Sequence, residues 1–234
     1  MKELIAELIG TCLLITLGCG SVANSLLSKS KGQNTGWLSI CIAWGFSVMI
    51  AIYAVGSISG AHLNPAITIG LASIGKLPLE KVPYYIIGQF LGAMLGAVIV
   101  WICYLPHWAQ TKDADLKLAV FCTDPAIKHT FSNFISEFIA SAVLIFGILT
   151  IGKNEFFAGF QPFIIGLLII TIGLSLGGTT GWALNPARDF GPRLVHFLLP
   201  IPQKRDSNWS YAWIPVVAPI VGCVFGAFLF QLLF

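Results

Sequence analysis

Charge is what this sequence lacks. Asp, Glu, Lys and Arg make up only 10% of its 234 residues, against about 25% in ordinary soluble domains. With 56% hydrophobic residues and a mean hydropathy of +0.85, such a chain has too little polar surface to face water on all sides. This argues against a soluble enzyme, a disordered chain and a nucleic-acid-binding protein. The net charge of +3 is too mild to point to a polyanionic partner. Metal-ligand spacing is also missing: there is no CxxC and no His/Cys cluster, so no zinc site, redox motif or cofactor is expected. The cysteines at 12, 19, 41, 103, 122 and 223 form no disulfide framework and read as small buried hydrophobes. Alternating polar and apolar strands are absent, which excludes a membrane β-barrel. Nor is the N-terminus a cleavable signal: its only early cation is Lys2, and Glu3 and Glu7 interrupt it.

What is present is a set of long apolar runs. A helix needs about 20 apolar residues to cross the hydrocarbon core. Six segments qualify, approximately Leu4–Leu27, Trp37–Ser57, Val82–Tyr104, Phe131–Ile151, Phe156–Gly177 and Ala212–Phe234. Two shorter apolar segments, Ala61–Ile74 and Trp182–Leu199, follow the second and fifth spans. Segments of that length read as re-entrant pieces, which must lie within protein or line a wet cavity because lipid cannot satisfy bare backbone.

The two short segments expose a duplication. Gly60-Ala61-His62-Leu63-Asn64-Pro65-Ala66 matches Gly181-Trp182-Ala183-Leu184-Asn185-Pro186-Ala187 at five of seven positions, and Glu7 in the first span has a counterpart in Glu137. The halves fall at roughly residues 1–120 and 126–234 of one channel-sized domain, joined by a polar loop around Lys112 to His129. Three spans per half force the second half to enter from the opposite side, giving an inverted repeat, and paired short segments in such repeats mark the transport path.

Asn is a strong helix N-cap and Pro is favoured at the first helical position, so Asn64-Pro65 and Asn185-Pro186 each predict the start of a short helix. The capping oxygen fixes the Asn side chain and leaves its NH₂ to donate sideways to a passing hydroxyl or water. Each helix start also carries about half a positive charge. A cation about 4 Å away is repelled by roughly 2 kcal/mol per helix end at an effective dielectric near 20. Neutral solutes are favoured over protons and metal cations.

Carboxylates inside membrane spans are functional candidates. Glu7 and Glu137 are expected to accept bonds from the bare backbone N–H groups ahead of each half-helix; a proton relay is the alternative. The scaffold role would free the carbonyls of Gly60, Ala61, His62 and Leu63, and of Gly181, Trp182, Ala183 and Leu184, to form an acceptor ladder. Arg188 should face water and help exclude cations, with Asp189 paired to Arg193 one helical turn on. His62 reads as a hydrogen-bonding wall residue, whereas His107, His129 and His196 show no partner spacing. Asn208-Trp209-Ser210 fits the glycosylation pattern, a match common by chance.

The doubled Asn-Pro-Ala box, the Ala6-Glu7 segment and Arg188-Asp189-Phe190-Gly191-Pro192 together resemble the major intrinsic protein family, the aquaporins and aquaglyceroporins, over essentially the whole chain. The resemblance implies an all-α membrane protein of six tilted helices and two re-entrant half-helices, one pore per subunit, a homotetramer in the plasma membrane, and cytoplasmic termini. The positive-inside rule votes weakly against that orientation, because Lys29, Lys31, Lys112, Lys117, Lys128, Lys204 and Arg205 would then lie outside. By similarity the constriction falls on Trp44, Gly173, Trp182 and Arg188. Glycine at 173, where water-only members place His, opens space, and Asp189 and Arg193 match the glycerol-conducting pattern. Trp182 departs from the usual Phe. The implied function is a passive channel for glycerol, water and other small neutral solutes, with urea-like amides and undissociated short hydroxy acids as further candidates. The rival is an ion-coupled secondary transporter. A membrane protease built on the Ser57-Ile58-Ser59-Gly60 segment and His62 is a distant third.

Overall fold

A computed structural model describes residues 1–234, all of them. The chain is helical throughout: α1 Lys2–Leu26, α2 Gly36–Ser59, α3 Pro65–Ser73, α4 Val82–Cys103, α5 Leu105–Gln110, α6 Ala114–Phe121, α7 Thr130–Ile151, α8 Gln161–Leu176, α9 Pro186–Leu198 and α10 Ile214–Leu233. Six of these are the membrane-crossing helices, and α3 and α9 are the two half-helices.

The sixteen-residue α8 is the exception to the span lengths read from hydropathy. Five helices are long and apolar enough to cross a bilayer unaided. At 1.5 Å per residue α8 reaches only about 24 Å, short of the hydrocarbon thickness. The expected fifth span began at Phe156, but Gly159 takes a left-handed φ of 84° and Pro162 occupies the first helical turn. Phe156 and Phe157 instead pack on Phe160 in an irregular approach to the helix. The polar loop expected at 112–129 is also more structured than its composition suggests. It contains α6, capped by the Asp113 side chain on the Asp115 N–H, with Lys117, Leu118, Val120 and Phe121 buried.

The halves exchange their short helices. Within each half the outer helices pair, α1 with α4 and α7 with α10, but α3 packs on α10 and α9 on α4. Small residues allow the close pairing. A Cβ added at Gly92 would lie 2.2 Å from the Leu8 carbonyl of α1, and one at Gly222 would lie 2.3 Å from the Phe138 carbonyl of α7. Membrane helices associate through such backbone approach, because lipid gives no hydrophobic drive between them. The outer surface stays apolar, with Ile50, Ile87, Leu91, Val221 and Phe225 among its exposed side chains.

All six cysteines are free. Cys19, Cys41, Cys122 and Cys223 are buried, Cys12 is half-buried, and Cys103 is exposed near the end of α4, contrary to the uniform burial expected of them. Asn208 is buried and its amide donates to Asp124 at 2.6 Å, so its glycosylation pattern has no free acceptor. The histidines without partner spacing find partners through the fold. His107 bonds the Ser28 carbonyl, His129 caps α7 on the Ser132 N–H, and His196 bonds Ser207.

Three of the seven basic residues that weighed on orientation have structural tasks. Lys204 donates to the carbonyls of His196, Phe197 and Leu199, which have no helical partner at the end of α9. Lys117 donates to the Pro202 carbonyl, and Arg205 pairs with Asp115, Asp124 and Asp206. The Asn208 N–H, and then Arg205, hold the Asp206 carboxyl below its usual range.

Candidate functional site

The site begins with two helix caps. Asn64 accepts from the Ala66 N–H at 2.8 Å and starts α3; Asn185 accepts from Ala187 and Arg188 at 3.0 and 3.1 Å and starts α9. Their amide nitrogens reach across the molecule. Asn64 Nδ2 donates to the Leu184 carbonyl at 2.8 Å, and Asn185 Nδ2 donates to the Leu63 carbonyl at 2.7 Å. The two positive helix ends therefore abut. One of the two amide hydrogens on each Asn is engaged in this crossing, so one donor per Asn is left over, not two. For the same reason Leu63 and Leu184 do not carry free carbonyls.

Ahead of each cap the backbone is in the left-handed region. Gly60, Ala61 and Leu63 have φ of 80°, 50° and 54°, and Gly181, Trp182 and Leu184 have 84°, 36° and 54°. Non-glycine residues in that region cost on the order of 1–3 kcal/mol each and persist only where surroundings fix them. The fixing groups are the two buried carboxylates. Glu7 accepts from the Ser59 hydroxyl at 2.6 Å, the His62 N–H at 3.0 Å, the Leu63 N–H at 2.6 Å and Gln89 Nε2 at 2.7 Å. Glu137 accepts from the Thr180 hydroxyl at 2.6 Å, the Ala183 N–H at 2.9 Å and the Leu184 N–H at 3.0 Å. With the N–H groups turned to the carboxylates, the carbonyls of Gly60, Ala61, His62, Gly181, Trp182 and Ala183 accept no hydrogen bond within the protein.

Five of those six residues line a cavity of about 190 Å³; Gly181 does not. Asn64, Asn185 and Arg188 add further polar groups to its lining, and Val48, Ile52, Ile67, Leu144 and Ile169 are among its apolar residues. Neither Glu7 nor Glu137 lines it. His62 does, with its Nδ1 bonded to Thr68 Oγ1 at 3.1 Å. Ser59 donates to Glu7 rather than to a histidine, which removes the arrangement a serine nucleophile needs.

The Arg188 guanidinium, which lines the cavity, lies 4.1 Å from the Trp44 ring centre and donates to the Phe121 carbonyl at 3.3 Å. That is its only bond within the protein, so its remaining N–H groups stay available on the cavity side. Trp182 lines the cavity but Gly173 does not. A Cβ at Gly173 would sit 2.8 and 3.0 Å from two indole carbons of Trp182 and 3.0 Å from Cys41 Sγ. The space expected from Gly173 is therefore filled by the Trp182 ring, which covers the glycine. Gly18 plays the same part for Trp44, since a Cβ there would meet three ring carbons at 2.5, 2.5 and 2.6 Å.

Asp189 and Arg193 lie behind the site, fully buried, with Arg193 Nε and Nη2 both donating to Asp189 Oδ1, at 2.9 and 2.8 Å. Asp189 also accepts from the Thr123 N–H and hydroxyl, at 2.8 and 2.6 Å. Arg193 donates further to the carbonyls of Thr123, Ser207 and Asn208. The pair anchors the segment that carries the Phe121 carbonyl to Arg188.

Several members of the site escaped sequence reasoning. Ser59 and Thr180 each stand five residues before their capping Asn, so extending the repeat alignment by one residue would have paired two hydroxyls. Gln89, Thr123 and Gly18 had no such signal, because each acts through a partner distant in the chain.

Comparison with known proteins finds relatives along the whole chain. The chain is 56% identical over its full length, and over the full length of the relative, to a protein of Thermotoga maritima described as a probable glycerol uptake facilitator. It is 54% identical to the glycerol uptake facilitator of Bacillus subtilis, covering 97% of this chain and 83% of that protein. The X-ray structure of the aquaglyceroporin from Plasmodium falciparum superposes with a TM-score of 0.88 at 33% identity, covering 98% of this chain and 95% of that one. The two abutting caps in an all-helical, apolar-surfaced bundle are thus a membrane-transport architecture and not an enzyme's. The major intrinsic protein family model matches residues 1–230, and the chain belongs to that family.

Proposed function

We propose that the chain is a passive channel for glycerol and water, open also to urea-like amides and undissociated short hydroxy acids. The observation that carries this is the mixed lining of the cavity, which combines residues with unpartnered carbonyls, two Asn amides and the Arg188 donors with a majority of apolar side chains. A polyol can place hydroxyls on the polar groups and CH groups on the apolar ones. Trp44, Trp182 and Arg188 form the selectivity filter, and Gly173 acts behind it as the seat of Trp182. The relatives' names support glycerol as the permeant. By the same family likeness the protein is a homotetramer of the plasma membrane, in contact with lipid, with both termini cytoplasmic and the repeats at 1–120 and 126–234. The structural tasks of Lys117, Lys204 and Arg205 give a reason for basic residues on the far side.

Ion coupling is disfavoured because both intramembrane carboxylates are occupied by scaffold bonds away from the cavity. Stopped-flow light scattering on proteoliposomes separates the readings. Glycerol entry that is fast, non-saturating and independent of ion gradients is expected. Saturation with gradient dependence would mean a coupled transporter, and fast water with negligible glycerol would overturn the polyol reading.

Two variants test the filter. Arg188→Ala removes a full charge worth about 4 kcal/mol against a cation about 4 Å away at an effective dielectric of 20. Proton conductance in voltage-clamped vesicles should rise by about tenfold or more, since the helix ends remain; an unchanged conductance counts against the role. Gly173→His forces the Trp182 indole off its seat and into the passage. Glycerol flux should fall far more than water flux, and equal losses would show that Trp182 does not set the constriction.

A further inference from the structure

We propose that Trp37 is a positioning residue that fixes the width of the constriction by clamping the Trp182 indole onto Gly173 and Gly177. This rests on the channel reading above. Trp37 lies in the first turn of α2, is half-exposed and does not line the cavity. Seven residues separate it from Trp44, so both indoles leave the same face of one helix. Trp44 faces the cavity, and Trp37 reaches behind Trp182.

Three contacts make the clamp. The Trp37 and Trp182 rings meet edge to face, with centres 4.8 Å apart and planes at 75°, the favourable arrangement for an aromatic pair. The Trp37 indole N–H donates to the Gly173 carbonyl at 3.1 Å. Gly173 is among the last four residues of α8, whose carbonyls have no partner within the helix, so this bond also caps α8. Finally, a Cβ at Gly177 would lie 2.6 Å from the Trp182 ring and 3.0 Å from that of Trp37, which places both indoles on one glycine floor.

Trp182 needs such a clamp. Its backbone is held at the left-handed φ of 36°, and its ring makes no hydrogen bond within the protein. Its two glycine contacts give it a floor but no stop on its outer side; Trp37, on the same floor, is that stop and serves as the lid. Removing it opens room behind Trp182, away from the passage. The ring can then retreat and the filter widens.

The test compares permeabilities of glycerol and erythritol in proteoliposomes for wild type, Trp37→Ala and Trp37→Phe. In Trp37→Ala the erythritol-to-glycerol ratio should rise by about threefold to tenfold, at or below the low end of the roughly 10–200-fold that one methylene of pocket space is worth. Trp37→Phe keeps an aromatic lid without the N–H donor and should restore most of the wild-type ratio. A ratio unmoved in Trp37→Ala, or equal loss of both solutes, overturns the clamp while wild-type glycerol flux leaves the channel reading standing. A second readout needs no glycerol flux. In 5-fluorotryptophan-labelled protein the ¹⁹F line of Trp182, assigned by its loss in Trp182→Phe, should broaden or split in Trp37→Ala. A single line of wild-type width overturns the clamp, whether or not the channel reading holds.

Discussion

Glu137→Ala is expected to cut glycerol permeability by about tenfold or more, because it leaves three buried donors without an acceptor at about 1–3 kcal/mol each. Those donors, the Thr180 hydroxyl and the N–H groups of Ala183 and Leu184, have no other partner in reach of the same geometry. They also hold Trp182 and Leu184 in left-handed conformations that relax once the anchor is gone. The unpartnered carbonyls of the second half would then turn from the cavity, and the Leu184 carbonyl would leave Asn64. Glu137→Gln keeps a carbonyl acceptor but turns an NH₂ toward backbone donors, so it should retain only part of the flux. The measurement is stopped-flow glycerol entry normalised to inserted protein. Full flux in Glu137→Ala would sink the scaffold role and reopen a proton relay.

Arg193→Ala is expected to cost about 3–5 kcal/mol of stability, the usual penalty for stranding one partner of a buried ion pair. Asp189 would keep two donors from Thr123 but lose its countercharge at zero exposure. The carbonyls of Thr123 and Ser207 would lose their Arg193 donor as well, while that of Asn208 would keep the Tyr211 N–H. At about 2–4 °C per kcal/mol for a chain of this size, the unfolding midpoint in detergent should fall by roughly 10 °C. Arg193→Lys restores charge but not the planar fork of donors, so it should recover less than half of the loss. A midpoint within about 2 °C of wild type would show that the pair carries no stability.

Interactions confined to chain neighbours were legible in the sequence. Hydropathy marked the crossing helices, and an Asn followed by Pro marked each half-helix start, because a cap bonds an N–H two residues away. The length of α8 was not legible: a hydropathy window counts Phe156 and Phe157 as apolar, while a glycine turn at 159 decides where the helix begins. The destinations of the Asn amides were hidden for another reason. Each acceptor lies on the opposite half, 120 or 122 residues away. Gly173 shows the same limit. Its lack of a side chain reads as open space in one dimension, yet a ring from nine positions later fills that space.

The exchange of short helices between halves has a consequence for biosynthesis. When the ribosome has made α1 through α4, α3 has only part of its surface, the bond from Gln89 of α4 to Thr68, since its main platform is α10, translated much later. Its capping Asn64 also waits for a carbonyl at residue 184. The first half therefore crosses the membrane well before its own re-entrant loop can close. Until α10 arrives, that loop is held from one side only, by Glu7 and Gln89. The pore is completed in one late step, from both faces at once.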